Sequence, residues 1–356
     1  RTDPRISEDS APMNERIRIF AALGEQEDLS RDAGDVYNEI ETYKKLSSFA
    51  DVHYNGFLLD WDKPNLGIKR KKLEIPNEHF DLYYFRNSPR LHESCPGPLI
   101  MMGYPYDEEL WKTADGIVVT THSWKQFLSD YNTSATASDF EDPWYPEHIH
   151  EPRNILVFEQ SIKSGFINYS QGKTTKMYRA GFGEGFIIGF LGRIDPTCYP
   201  HDVAAAVKEI RKTDQSVSLT LMGNIRDLNI PDSIQVYRRQ PLEKMPDVVS
   251  AFDCLIYDQD ETGHYLGSVK CLEAMAIGIP ILVRPHAARI EQFGDSYPLY
   301  YRDAQEAELL IVQLKNDTKF KEKIRNYLIE RREKYIQKNV EKRIETEVIA
   351  FLESLN

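Results

Sequence analysis

The chain has 356 residues, which at roughly 100–200 residues per domain points to two domains. Its formal net charge of −12 argues against a general nucleic-acid binder, which carries a basic surplus. Hydrophobic residues at 41% beside 28% charged residues fit a globular chain with real cores, and no apolar run approaches the roughly 18 residues of a membrane-spanning helix.

Residues 1–15, "RTDPRISEDSAPMNE", are polar and read as a tail. "RIRIFAAL" (16–23) is a β-rich run, "VYNEIETYKKLSSFA" has apolar residues at helical spacing, and "DVHYNGFLL" returns to strand character. "HFDLYYFRN" (79–87), "GPLIMMGYP" (97–105), "DGIVVTTHS" and "RNILVFEQSI" (153–162) read as further strands, with a helix starting at "WKQFLSDY". Before the last of these strands lies a long polar loop, 131–152. His148 and His150 there read as alternating residues on an extended edge, not as metal ligands, while Trp144 and Tyr145 have the flat faces that stack on sugars. The basic run at 68–74, "IKRKKLE", reads as a solvated edge.

Residues 171–185 join the two halves. "GFGEGF" within them precedes a strand instead of following one, so it lacks the context of a dinucleotide fingerprint. A second alternating pattern starts at Phe186: strand "FIIGFLGRI", helix "HDVAAAVKEIRK", strands "SVSLTLMGN" and "IQVYRRQ", helix "LEKMPDVVSAF", strand "DCLIYDQ", then helix and strand within "GSVKCLEAMAIGIPILV", and a strand and helix within "YPLYYRDAQEAELLIVQLKN". Strands alternating with helices predict two parallel sheets, each covered on both faces. Ligands of such sheets bind at the carboxyl ends of strands, so the expected site is the cleft between the halves.

Gly192-Arg193 falls at the carboxyl end of the first strand of this half. Arg193 is a donor fork suited to phosphate oxygens. A helix is expected to begin near Gly267-Ser268, where unpaired N–H groups of Ser268, Val269 and Lys270 favour a diphosphate. Gly267 permits close backbone approach, and Ser268 is a helix cap or a phosphate donor. Lys270 opposes the helix dipole, which a bound anion would explain. Glu273 accepts hydrogen bonds and suits a ribose diol. Gly278 and Pro280 stop the helix.

These stretches, "GFLGRI", "LTLMGN", "MPDVVSAFDCLIYD" and "GSVKCLEAMAIGIPILV", resemble the retaining GT-B glycosyltransferases of family 4, the glycosyl transferases group 1. In motif the resemblance covers residues 186–290. It implies a GT-B fold: two Rossmann-like doubly wound parallel-sheet domains facing a central cleft. The expected division is an N-terminal acceptor-side domain at 16–170, a linker at 171–185, a nucleotide-sugar domain at 186–335, and a C-terminal helix at 336–356 crossing back to the first domain. The implied reaction moves a hexosyl or related sugar from a nucleotide diphosphate sugar to a carbohydrate, lipid-linked or other hydroxyl acceptor, with retention and without metal or other cofactor. By the resemblance Arg193 contacts the diphosphate, backbone N–H groups of Gly267 to Val269 cradle it, Glu273 holds the ribose, and the loop around Gly34 faces the donor. His122 is a further cleft candidate.

Two positions depart from the family pattern. Tyr265 stands where a second glutamate is usual, and its hydroxyl is assigned to the sugar; Asp260 and Glu261 are the nearest acids. "GRIDPTCYPH" carries no lysine after Gly192-Arg193, leaving Lys270 or a residue from the other half to compensate. The departures motivate an alternative: a catalytically degenerate GT-B nucleotide-binding or partner protein. Four scattered cysteines without a Cys-x-x-Cys pair suggest buried thiols and a cytoplasmic setting, free or peripheral to a membrane.

Overall fold

The computed structural model describes residues 16–23, 34–54, 57–58, 78–86, 95–102, 114–133, 154–258 and 265–355. The polar tail, the basic run at 68–74, residues 134–152 with Trp144, Tyr145, His148 and His150, and Asp260 and Glu261 lie outside them. The chain divides into two compact units. The first is Arg1–Ile117 with Pro152–Asn154 and Phe351–Asn356; the second is Val118–Glu151 with Ile155–Ala350.

In the first unit β1 (Ile17–Leu23) leads to α1 (Gly34–Ser47), β2 (Ala50–Tyr54), β3 (Phe57–Leu58), β4 (Leu82–Arg86), β5 (Leu99–Met102) and β6 (Gly116–Val119), whose last two residues belong to the second unit. The strand order is β3-β2-β1-β4-β5-β6. β1 runs parallel to β2 and β4, with Ile19 opposite Val52 and Leu82. The central strands β1 and β4 are apolar on both sides because both faces are covered, with Ile19, Phe20, Leu82, Tyr83, Tyr84 and Phe85 all fully buried, whereas β2 alternates, its Asp51 and His53 half-buried. "DVHYNGFLL", expected as one strand, is two. Tyr54 pairs antiparallel with Phe57, and the residues between them, Asn-Gly, are the dipeptide that tight hairpins favour.

The second unit opens with the end of β6 and α2 (His122–Thr133), then β7 (Ile155–Val157), α3 (Ser164–Ile167) and α4 (Lys173–Phe182). Residues 171–185, read as a joining segment, thus contain a helix. Its Phe182 stacks on Phe252 at 4.6 Å, which fixes the helix to the core of this unit. There follow β8 (Phe186–Ile194), α5 (His201–Ile210), β9 (Val217–Ile225), β10 (Gln235–Tyr237), α6 (Met245–Ser250), β11 (Cys254–Tyr257), α7 (Val269–Ile277), β12 (Ile281–Val283), α8 (Ala287–Phe293), α9 (Ala304–Asn316), α10 (Thr318–Arg331) and α11 (Gln337–Ser354). Expected as a strand, "YPLYY" makes only an isolated bridge, Tyr300 to Val283.

The order β10-β9-β8-β11-β12, parallel throughout, starts in the middle and grows first one way, then the other. Where the direction reverses, at the carboxyl end of β8, the connections on either side diverge. That is the switch point at which sheets of this kind take ligands. Gly192 and Arg193 stand there. Cys254 and Cys271, expected as buried thiols, are fully buried free cysteines of this unit's core.

Candidate functional site

β8 and β9 lie so close at their ends that a β-carbon on Gly223 would fall 1.6 Å from the Gly192 carbonyl oxygen. Gly192 has φ +140°, a conformation open to glycine, and the Lys270 ammonium rests against it. Arg193, just beyond, is exposed. Its guanidinium pairs with Asp195 and donates to Thr197 Oγ1 and Cys198 Sγ, each at 3.3 Å. Asp195 in turn accepts from the backbone N–H groups of Thr197 (3.1 Å) and Cys198 (3.0 Å). Burial pushes the Asp195 carboxyl up, but the Thr197 hydroxyl and the Arg193 charge outweigh it and hold it below the usual range. The stretch without the usual lysine is therefore a tight turn that fixes the arginine.

α7 begins as its sequence dictates. Ser268 is the N-cap, with extended backbone, and its hydroxyl accepts from the Cys271 N–H at 3.4 Å. Gly278, left-handed at φ +77°, ends the helix by donating to the Ala274 and Met275 carbonyls. Val269 and Lys270 form the first turn. Lys270 is partly buried and lies 5.7 Å from the centre of the Tyr257 ring. Burial lowers its pKa, and the nearby Glu273 charge restores only part of the loss.

Glu273 is 5% exposed on a helix whose Cys271, Leu272, Ala274 and Met275 are fully buried. A lone buried carboxylate is costly, and here Lys163 answers it: Nζ donates to Glu273 Oε1 at 3.1 Å. Nothing in the spacing of "SIKSG" announces this partner.

The loop before α7 is held mainly by its backbone. Thr121 Oγ1 donates to the Tyr265 carbonyl at 2.5 Å, and the Gly267 N–H donates to Thr120 Oγ1 at 3.2 Å. Arg289, 2% exposed, donates to the Leu266 carbonyl at 2.8 Å and lies 4.5 Å from the Tyr257 ring centre. Gln292 accepts from the Ser268 N–H and donates to its carbonyl. These four anchors escaped the sequence reading, because each lies 23–147 positions from the backbone it holds. The Tyr265 ring stacks on Phe127 with centroids 4.3 Å apart.

His122 opens α2, and its N–H and that of Ser123 donate to the Glu291 carboxylate at 3.0 and 2.7 Å. His122, Glu159 and Glu291 are close enough to share an ion. Yet Glu159 pairs with Arg343 and lies 3.8 Å from Lys334, while Glu291 caps α2, so protein groups already answer both carboxylates. Gly34 is the first residue of α1, in the first unit.

Residues 175–343 match the family described as Glycosyl transferases group 1. No curated protein matches the chain. Among solved structures, HepE of Anabaena, in complex with UDP and glucose, superposes with TM-score 0.66 at 12% identity, covering 94% of this chain and 100% of that one. The catalytic domain of starch synthase IV from Arabidopsis thaliana, bound to ADP and acarbose, gives 0.64 at 9% identity, covering 95% and 100%. Sucrose-phosphate synthase from Thermosynechococcus elongatus gives 0.59 at 12%, covering 96% and 97%. At such identities the likeness speaks for the fold, which is GT-B. With the family match, residues 175–343 are a glycosyl transferases group 1 domain, and the activity class is glycosyl transfer. Among the described residues no helix is long and apolar enough to cross a membrane.

Proposed function

We propose that this chain is a retaining glycosyltransferase that moves a sugar from a nucleotide diphosphate sugar to a hydroxyl acceptor. The observation that carries the reading is the group of residues at the carboxyl edge of the five-stranded sheet. Lys270 rests on Gly192, Arg193 follows directly, and the capped start of α7 supplies free N–H groups beside them. Cations and helix N–H groups stabilise a departing diphosphate electrostatically, a role that asks for no bound metal. In this reading Arg193 and Lys270 take the diphosphate, the backbone N–H groups of Val269 and Lys270 approach it while those of Gly267 and Ser268, expected to do so, are taken by Thr120 and Gln292, and Glu273 accepts from the ribose hydroxyls. Tyr265, stacked on Phe127, contributes through position and its hydroxyl, without the charge of a carboxylate. The UDP and ADP in the HepE and starch synthase IV structures make nucleoside diphosphates the first ligands to try.

Titrating the protein with UDP-, ADP- and GDP-sugars tests this, with turnover and product configuration followed by NMR in the presence of a chelator. Binding followed by transfer with retention is the expected result. No binding and no turnover with any donor would overturn it. The Tyr265–Phe127 stack and the Arg193–Asp195 pair favour a second reading, a nucleotide-binding protein that no longer reacts. Binding without turnover across a broad acceptor panel would select that one.

A further inference from the structure

Glu273 is a mid-helix carboxylate in an apolar helix. Its Oε1 is taken by Lys163, and its Oε2 has no hydrogen bond to the described residues. Seven per cent of the side-chain surface stays open. A carboxylate so placed has one oxygen anchored and the other available. The anchor is itself rigid. Next to Lys163, the Ile162 N–H donates to the Tyr335 carbonyl at 2.8 Å, and Phe166 on the other side is 2% exposed in the core. The lysine is therefore held from both sides in sequence, with its side chain 18% exposed.

Resting on the nucleotide-site reading above, we infer that Lys163 is the positioning residue for Glu273: it binds one carboxylate oxygen and thereby aims the other at the sugar hydroxyls of the nucleotide. Lys163 acts through Glu273 and not on the diphosphate. Its anchoring matters because a carboxylate on a free side chain loses rotamer entropy on binding a diol, whereas an anchored one has lost it on folding. A carboxylate acceptor also makes a stronger hydrogen bond to a hydroxyl than a neutral one does.

The test compares ribose with its deoxy form. UDP, ADP and GDP, each with its 2′,3′-dideoxy counterpart, are titrated into wild type, K163M, K163R, E273Q and the K163M/E273Q double variant. Wild type is expected to prefer the ribonucleotide by roughly tenfold or more, the value of a charged hydrogen bond. In K163M the preference falls towards one, with dideoxynucleotide affinity little changed, and K163R keeps most of it. In the E273Q background K163M costs nothing further, as a residue acting only through its partner requires. The double variant leaves no unpaired buried charge, so it tests the coupling even if K163M folds poorly. Undiminished ribose preference in K163M overturns the inference. So does an equal loss for ribo and dideoxy forms, or a further loss in the E273Q background. If wild type binds no nucleotide at all, the nucleotide reading itself fails and takes this inference with it.

Discussion

The ammonium of Lys270 rests on the α-carbon of Gly192: a β-carbon there would lie 2.2 Å from Nζ. The two residues are 78 positions apart, one ending the central strand and one opening α7. Alanine at 192 faces two obstacles. The φ of +140° is strained for an L residue, at roughly 1–2 kcal/mol. The clash is relieved by moving the flexible lysine away. G192A is thus expected to stay folded, lose about that much stability in thermal unfolding, and bind nucleoside diphosphate roughly tenfold more weakly because its cation is displaced.

Gly223 offers the rigid counterpart. There the β-carbon would meet the Gly192 carbonyl oxygen at 1.6 Å, and backbone cannot step aside. G223A forces β8 and β9 apart and is expected to cost more than about 3 kcal/mol, beyond ordinary overpacking. A soluble G223A protein with a wild-type melting temperature would contradict this account of the strand ends.

Lys270 also sets a pH dependence. Its folded pKa is lowered by burial, below the roughly 10.4 of an unfolded lysine. Between those values the unfolded chain binds more protons, so this group's contribution to stability rises with pH across that window. Diphosphate binding acts in the opposite sense. An anion beside the ammonium raises its pKa, so binding takes up protons and affinity falls as pH rises through the lowered value. Calorimetry in buffers of different ionisation heat measures the uptake. It is expected in wild type and absent in K270M.

Much of this was legible in the sequence, for a physical reason. The central parallel strands, β4, β8 and β11 among them, are mainly apolar runs, and α7 carries its own start and stop in Ser268, Gly278 and Pro280, all within one local stretch. Gly192-Arg193 could be assigned to a strand end from the pattern alone. What could not be read were partnerships across the fold. Lys163 with Glu273, Thr120 with Gly267 and Arg289 with Leu266 each join a residue of ordinary type to a distant one. The "YPLYY" run misled because it meets the edge strand β12 only at that strand's last residue, Val283, so one bridge is all that forms. Asp195, inside the stretch lacking a lysine, had no signal as the partner that orients Arg193.

Glu291 gives a stability prediction separate from the nucleotide site. Its carboxylate accepts from the first two N–H groups of α2, and the Thr121 hydroxyl accepts from the third, Trp124, at 3.2 Å. An anion at a helix N-terminus satisfies orphan donors and complements the dipole. E291A leaves Thr121 in place and removes the rest, so a loss of about 1–2 kcal/mol is expected in denaturant unfolding. E291Q, which keeps one acceptor, should lose less.

Arg289 separates packing from loop control. It is the largest fully buried side chain among the described residues, and its guanidinium holds the Leu266 carbonyl and the Gln292 amide oxygen beneath the Tyr257 ring. R289M fills similar volume without a charge. Exchanging a buried charge for an apolar group of like shape is often close to neutral, so global stability should shift by less than about 2 kcal/mol. R289A opens a cavity as well and should cost roughly 2–5 kcal/mol. In both variants the Leu266 carbonyl loses its donor, two residues before the helix cap. Hydrogen exchange at the amides of residues 266–270 is therefore expected to quicken in R289M, with nucleotide affinity falling in step, while the β8 amides keep their protection. Unchanged exchange in that stretch would mean that Thr120, Thr121 and Gln292 hold the loop without the arginine.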